Sequence, residues 1–223
     1  MVSILAPCHN EANVIPIFVE AVQNAALELK TDWELVLIDD GSTDNTSLIV
    51  KEVQKKDPHL KYFQLSKNIG QYEAIGEGIQ YCQGEWIVVM DADGQDEPKM
   101  IPFLYKKAFQ GGFDAVFAER FHKKYSPVKV ITSKLFHSTL QLLTGCKQNH
   151  RIAGFGIYKK EVLEELSSKN NSLLYLPLMR QWLPYQITTL DVEHQARVHG
   201  RSSYSFHKQM ALAFKIFKSL NQN

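Results

Sequence analysis

The chain has few cysteines. Three occur in 223 residues, Cys8, Cys82 and Cys146, and none belongs to a C-x-x-C pair. That excludes a disulfide framework and a thiolate zinc site, and it makes a reducing compartment the simpler expectation. No apolar run approaches the roughly 20 residues that span a bilayer. Met1 to Pro7 is apolar but short, lacks a basic flank and meets Cys8-His9-Asn10-Glu11 at once, so it does not read as a secretory signal. The expected location is therefore cytoplasmic, with membrane association limited to peripheral contact at the cytoplasmic face. A net charge of +1 provides no global field, and nucleic acid is not an expected partner. The glycine-rich phosphate loops are also missing. No glycine follows the first apolar run, Gly76-Glu77-Gly78 lies in a helical pattern without its third glycine, and no G-x-x-x-x-G-K-[ST] occurs. A phosphate ligand would then need another source of positive charge, and a metal ion is the natural one.

What is present is an ordinary globular composition, 44% hydrophobic and 22% charged. Short apolar runs at Val2–Ala6, Trp33–Ile38, Leu60–Leu65 and Trp86–Met90 read as strands. Helical patterns separate them, from Pro16 to about Lys30, over Thr43–Lys55 and over Tyr72–Cys82. Near-continuous hydrophobic strands alternating with helices predict an α/β fold with a mostly parallel sheet covered on both faces. Beyond Gln110 the rhythm changes. Asp114–Ala118 and Ile187–Gln195 read as further strands, and Ser133–Leu143 and Tyr158–Leu166 as helices. Ser205–Leu220 reads as a basic amphipathic helix, with Phe206, Met210, Ala213, Phe214 and Phe217 on one face and Lys208, Lys215 and Lys218 beside them. Such a helix either lies in a headgroup region or packs on the domain with its lysines in water. There is no repeat, low-complexity tract or linker, so residues 1–223 are expected to form one domain.

Parallel sheets bind ligands at the carboxyl ends of their strands, and the polar clusters Cys8–Glu11, Asp39–Ser42 and Asp91–Gln95 fall there. Asp91 and Asp93, two apart in extended chain, point to one side and offer oxygens to a hard divalent cation, with Gln95 able to add a carbonyl. The bland alternative is a solvated acidic turn. An EF-hand is excluded, because the glycine falls at the fourth loop position rather than the sixth. A carboxylate at the Asp39-Asp40-Gly41-Ser42 turn can accept from a ribose hydroxyl or a base N–H, or the turn can simply cap a helix.

Taken in order, the motifs resemble those of the family 2 glycosyltransferases of the GT-A fold, and within them the polyprenol-phosphate sugar transferases. These include dolichol-phosphate mannosyltransferase and the bacterial undecaprenyl-phosphate enzymes. Pro7-Cys8-His9-Asn10-Glu11 resembles P-x-Y-N-E, and Asp39-Asp40-Gly41-Ser42-Thr43-Asp44 matches DDGSTD. Asn68-Ile69-Gly70 with Ala74 and Gly78 matches N-x-G-x-x-x-A-x-x-x-G. Met90-Asp91-Ala92-Asp93-Gly94-Gln95-Asp96-Glu97-Pro98 matches MDAD-x-Q-x-x-P. A looser match runs through Arg120, Gly154-Phe155 and Arg197 to Tyr204.

The resemblance implies a Rossmann-like three-layer sandwich. Residues 1–110 would form a nucleotide-sugar-binding half, 111–204 an acceptor-binding half, and 205–220 the amphipathic helix. It implies that Pro7, His9, Glu11 and Asp40 hold the nucleoside of a UDP- or GDP-linked donor. Asp91, Ala92, Asp93 and Gln95 would face the diphosphate, with Asp91, Asp93 and Gln95 binding Mg²⁺ or Mn²⁺. Asp93, Arg120 and Arg201 are the implied catalytic residues, and Arg197 a further phosphate contact. Three positions depart from the pattern. His9 replaces the usual tyrosine, Gly156 stands where relatives often carry arginine, and Ser203 where many have lysine. The implied reaction is inverting transfer of a sugar onto a polyprenyl phosphate or another lipid phosphate. That acceptor is already anionic and needs no general base. The alternatives are transfer to a glycan hydroxyl, with Glu161, Glu164 or Asp191 as base, and a catalytically inactive nucleotide-sugar-binding partner protein.

Overall fold

In the computed structural model, residues 1–121, 138–139, 141–142, 151–169 and 184–193 are described. Their core is one seven-stranded sheet. The strands are β1 (Val2–Cys8), β2 (Trp33–Asp39), β3 (Leu60–Gln64), β4 (Trp86–Val89), β5 (Ala115–Phe121), β6 (Ile152–Lys159) and β7 (Ile187–Glu193). Their order across the sheet is β3-β2-β1-β4-β6-β5-β7. β1 pairs in parallel with β2 and β4, β2 with β3, and β5 with β7, whereas β6 runs antiparallel between β4 and β5.

Both faces are covered, which is why β1, β2 and β4 are largely apolar on both sides rather than alternating. Val2, Ile4, Ala6 and Cys8 of β1 face α1 (Ile15–Ala26), α2 (Thr46–Gln54) and α4 (Ile101–Gly111). Leu5 faces the other way, toward α3 (Gln71–Ile79) and α5 (Lys160–Lys169). The helices follow from their spacing. Ile15, Phe18, Val19, Val22, Ala25 and Ala26 put one buried stripe along α1, and Pro16 sits in its first turn, where a missing N–H costs nothing. α4 stops at Gly112, whose left-handed backbone (φ 65°) closes the last turn.

Two elements differ from the sequence reading. Tyr158 was expected to open a helix, but Ile152–Lys159 is a strand and the helix starts at Lys160. The cause is a coincidence of spacing. Tyr158, Val162, Leu163 and Leu166 mimic one helical face, and all four feed the same core cluster from a strand end and the helix after it. Gly154 and Gly156 lie within that strand. α4 was also not anticipated, although Ile101, Leu104 and Ala108 have helical spacing and are buried. The expected helix at 133–143 lies largely outside the described residues, and the one at 205–220 wholly so. Among the described residues no helix is long and apolar enough to cross a membrane.

The amino edge of the sheet is tied by a buried carboxylate. Glu34 Oε1 accepts from the Ser3 hydroxyl at 2.6 Å and from the Gln83 N–H at 2.5 Å, and Lys61 Nζ lies 2.5 Å from Oε2. Ser3 in turn accepts from the Gly84 N–H at 2.8 Å. Burial pushes the Glu34 carboxyl up, but the bonds from Lys61, Ser3 and Gln83 together outweigh it, so the group ends below its ordinary value. A depressed folded-state value means stability that is present above the unfolded carboxyl range, near pH 4.3, and lost as pH falls through the folded one. Glu34→Gln is therefore expected to cost about 1.5–3 kcal/mol at pH 7. The gap from wild type should narrow below about pH 4, as read from urea midpoints across that range.

Candidate active site

The order β2-β1-β4 sets three strand ends side by side at the carboxyl edge. The chain passes from β1 to β2 on one side and later to β4 on the other, and a ligand crevice is expected at such a reversal. The segments at these ends are 9–11, 40–42 and 91–93, so the fold brings together the three polar clusters picked out in the sequence.

The first two loops are knitted by side-chain oxygens. Asn10 adopts a left-handed backbone (φ 58°), a conformation asparagine tolerates better than most residues. Its Oδ1 accepts from the Thr43 N–H at 2.8 Å and the Asp44 N–H at 3.2 Å. The Asn10 N–H donates to the Ser42 hydroxyl and the Glu11 N–H to the Thr46 hydroxyl, each at 2.9 Å. His9 Nδ1 lies 2.8 Å from the Asp40 carbonyl, which can only accept, so the proton belongs on Nδ1. Nε2 is then the acceptor for the Asn10 amide at 3.2 Å. The histidine that stands in the tyrosine's place is thus oriented by its neighbours.

Asp40 is buried, and its carboxylate receives the Ile69 N–H at 2.7 Å on one oxygen and the Gly70 N–H at 3.0 Å on the other. The expected nucleoside contact is therefore restricted to lone pairs those bonds leave. Asp39 is buried as well, accepting from the Ser42 N–H at 2.8 Å and the Tyr62 hydroxyl at 2.5 Å. Burial, reinforced by Asp39, Glu11, Asp44 and Asp40, pushes the Cys8 thiol far up. It is neither a nucleophile nor a soft-metal ligand at neutral pH.

At the third strand end, Asp91 Oδ1 accepts from the Gln71 amide at 2.5 Å, and the Asp91 N–H donates to Asp96 Oδ2 at 3.1 Å. Ala92 and Asp93 are buried, and the Gln95 N–H closes the turn onto Asp93 Oδ1 at 3.0 Å. Among the described residues no group of three or more His, Cys, Asp or Glu side chains forms a metal cage. Two carboxylates and an amide suit a hard divalent cation that takes its remaining ligands from a bound diphosphate and water. Arg120, at the end of β5, is drawn to the same loop, its Nη2 lying 2.6 Å from Asp96 Oδ1. Burial, and after it the Asp96 charge, pushes the Tyr158 phenol well up, so it stays protonated and donates to the Gly154 carbonyl at 3.3 Å.

The remaining expectations divide by edge. Pro7 is buried in β1. Arg197 and Arg201 lie outside the described residues. Because β6 runs backwards, its last residue, Lys159, pairs with Trp86 at the start of β4. Glu161 and Glu164 follow it at the amino edge and cannot act as base for this site. Asp191 stands toward the carboxyl edge, in register with Glu119. At Gly156 a Cβ would lie 2.7 Å from the Val116 carbonyl and 2.8 Å from the Tyr158 hydroxyl, so no larger residue fits. The sequence reading did not single out Asn10, Gln71 or Asp96. Each lay inside or beside a quoted motif, but its role is to hold a neighbouring loop, which spacing along one segment does not reveal.

Residues 3–167 match the description Glycosyl transferase family 2. The chain belongs to that family. It is 31% identical over 220 residues, 98% of its length, to the undecaprenyl-phosphate 4-deoxy-4-formamido-L-arabinose transferase of Shewanella sediminis (strain HAW-EB3), of which it covers 66%. The chain thus spans about two thirds of that relative's length. Among solved structures it resembles glucosyl-3-phosphoglycerate synthase from Mycobacterium tuberculosis in complex with Mn²⁺, UDP and glucosyl-3-phosphoglycerate. The TM-score is 0.65 at 18% identity, covering all of this chain and 79% of that one. It also resembles the mannosyltransferase PcManGT from Pyrobaculum calidifontis in complex with GDP-Man and Mn²⁺. There the TM-score is 0.61 at 17% identity, covering all of this chain and 64% of that one. The fold of this glycosyltransferase-family chain is GT-A.

Gly41 fixes how closely the second loop approaches the segment between β3 and α3. Its φ is 64°, and a Cβ there would stand 2.5 Å from the Lys67 carbonyl carbon and 2.6 Å from the Asn68 nitrogen. Gly112 has nearly the same φ, 65°, with nothing within 4 Å. Gly112→Ala should cost about 1–2 kcal/mol, the left-handed penalty alone. Gly41→Ala should cost clearly more, and equal urea midpoints for the two variants would contradict the close approach.

Proposed function

We propose that the protein is an inverting, metal-dependent glycosyltransferase that moves a sugar from a nucleotide-sugar donor to a polyprenyl-phosphate-type acceptor. The observation that carries this reading is the pairing of Asp91 and Asp93 at the carboxyl end of β4, beside the strand ends that bear His9, Glu11 and Asp40. The names of the relatives add to it. One is an undecaprenyl-phosphate sugar transferase, and the solved structures hold UDP or GDP-mannose with Mn²⁺.

The difficult step is departure of the nucleoside diphosphate from the anomeric carbon. A divalent cation, Mg²⁺ or Mn²⁺, on Asp91, Asp93 and Gln95 would supply Lewis-acid neutralisation of the leaving charge. His9, Glu11 and Asp40 would hold the nucleoside in the crevice. Arg120 would place positive charge near the sugar and the acceptor phosphate, and Arg197 and Arg201 would add phosphate contacts. Inversion follows if the acceptor attacks in one in-line displacement. A phosphate acceptor is anionic at neutral pH and needs no base, which agrees with Glu161 and Glu164 lying at the far edge. The place of action would be the cytoplasmic face of a membrane that carries the lipid phosphate, with residues 1–110 handling the donor and later ones the acceptor.

The test is a thermal-shift panel of UDP, GDP, dTDP and CDP, each with Mn²⁺, Mg²⁺ or EDTA. One nucleotide is expected to stabilise the protein only with metal, by about 2.7 kcal/mol at 100 times its dissociation constant. Asp91→Asn and Asp93→Asn should each abolish that metal-dependent shift. Each should also lower transfer to a polyprenyl phosphate by at least about 100-fold, roughly 2.7 kcal/mol of barrier. Unchanged shifts in both variants would refute the metal assignment. Transfer to a glycan but not to a lipid phosphate would refute the acceptor class.

A further inference from the structure

Asp96 falls on a position that the M-D-A-D-x-Q-x-x-P pattern leaves open, yet it is among the most enclosed acids in the protein. Its side chain is 2% exposed, a setting that disfavours a carboxylate unless its oxygens are used. Both are. Oδ1 takes Arg120 Nη2 at 2.6 Å, and Oδ2 takes the backbone N–H of Asp91 at 3.1 Å. Arg120 is itself held, with a side chain 13% exposed and a backbone N–H that donates to the Arg151 carbonyl at 2.9 Å. One flank of the loop borders a groove. Gly94, Asp96, Glu97, Pro98 and Lys99 border a cavity of about 460 Å³ shared with the Ile17 and Phe18 side of α1.

We propose that Asp96 is a positioning residue that couples the metal-holding aspartate to Arg120. A single carboxylate fixes the backbone of Asp91 and the guanidinium of Arg120. The cation site at the leaving diphosphate and the positive charge beyond it then keep one separation through the reaction. The proposal rests on the reading of the site given above. It adds that Arg120 contributes to metal binding through Asp96, without touching the metal.

The experiment uses the full chain and the nucleoside diphosphate that wild type binds. It reads the Mn²⁺ concentration giving half-saturation of nucleotide binding by calorimetric titration. Asp96→Asn keeps the shape but loses the charge, and it should raise that concentration by about 10–100-fold, the usual effect of losing a partner that orients a metal ligand. Arg120→Lys keeps the charge but loses the planar fork, and it should raise it in the same direction. The double variant should be no worse than Asp96→Asn alone, because both changes act through one carboxylate. Glu34→Gln, which lowers stability at the opposite edge, should leave the value within about twofold, separating positioning from general destabilisation. If Asp96→Asn does not fold, Arg120→Lys decides alone. Half-saturation within twofold of wild type in the folded variants overturns the proposal while the reading of the site stands. Absence of any metal-dependent nucleotide binding by wild type overturns both.

Discussion

The carboxyl edge of this sheet is built on one kind of bond, a side-chain oxygen accepting a backbone N–H within or between its loops. Asn10 closes the first loop onto the second, Asp40 fastens the turn before α3, and Asp96 holds the chain at Asp91. Loops at a strand end cannot use ladder hydrogen bonds, and unpaired buried N–H groups are costly. Short polar side chains solve this locally. They also make the loops interdependent, because each carries a group that another needs. The site is therefore preorganised by its own periphery, which is what electrostatic catalysis requires.

The same bonds explain why so much acid gathers at this edge. Asp39 and Asp40 are buried, and their oxygens accept from backbone and hydroxyl donors. Asp91 and Asp93 accept from a side-chain amide and a peptide N–H. Neutral donors orient a carboxylate without cancelling its charge. Under the proposed function, a divalent cation with its diphosphate would meet the charge of Asp91 and Asp93.

The parallel half of the fold was legible in the sequence because its signals are redundant. β1, β2 and β4 are mostly apolar runs, and each ends in a polar cluster, so two independent cues coincide. β6 offered no such agreement. Its two glycines hid a strand, and Tyr158 joined the pattern of α5 because both elements serve one core. The site divided in the same way. Asp91 and Asp93 follow from spacing along one segment. Gln71 reaching Asp91, and Asp96 reaching Arg120, span 20 and 24 positions and exist only once the sheet is assembled.

The reversed direction of β6 also has a bearing on how such a protein diversifies. β5 ends at Phe121 and β6 begins at Ile152 on the same edge, and β7 also ends there, at Glu193. The stretches between β5 and β6 and after β7 therefore join the sheet at this edge. Natural variation can lengthen, shorten or exchange those stretches while the donor-facing scaffold keeps its register. The architecture is in that sense modular, with a chassis of packed strands and replaceable fittings at one rim.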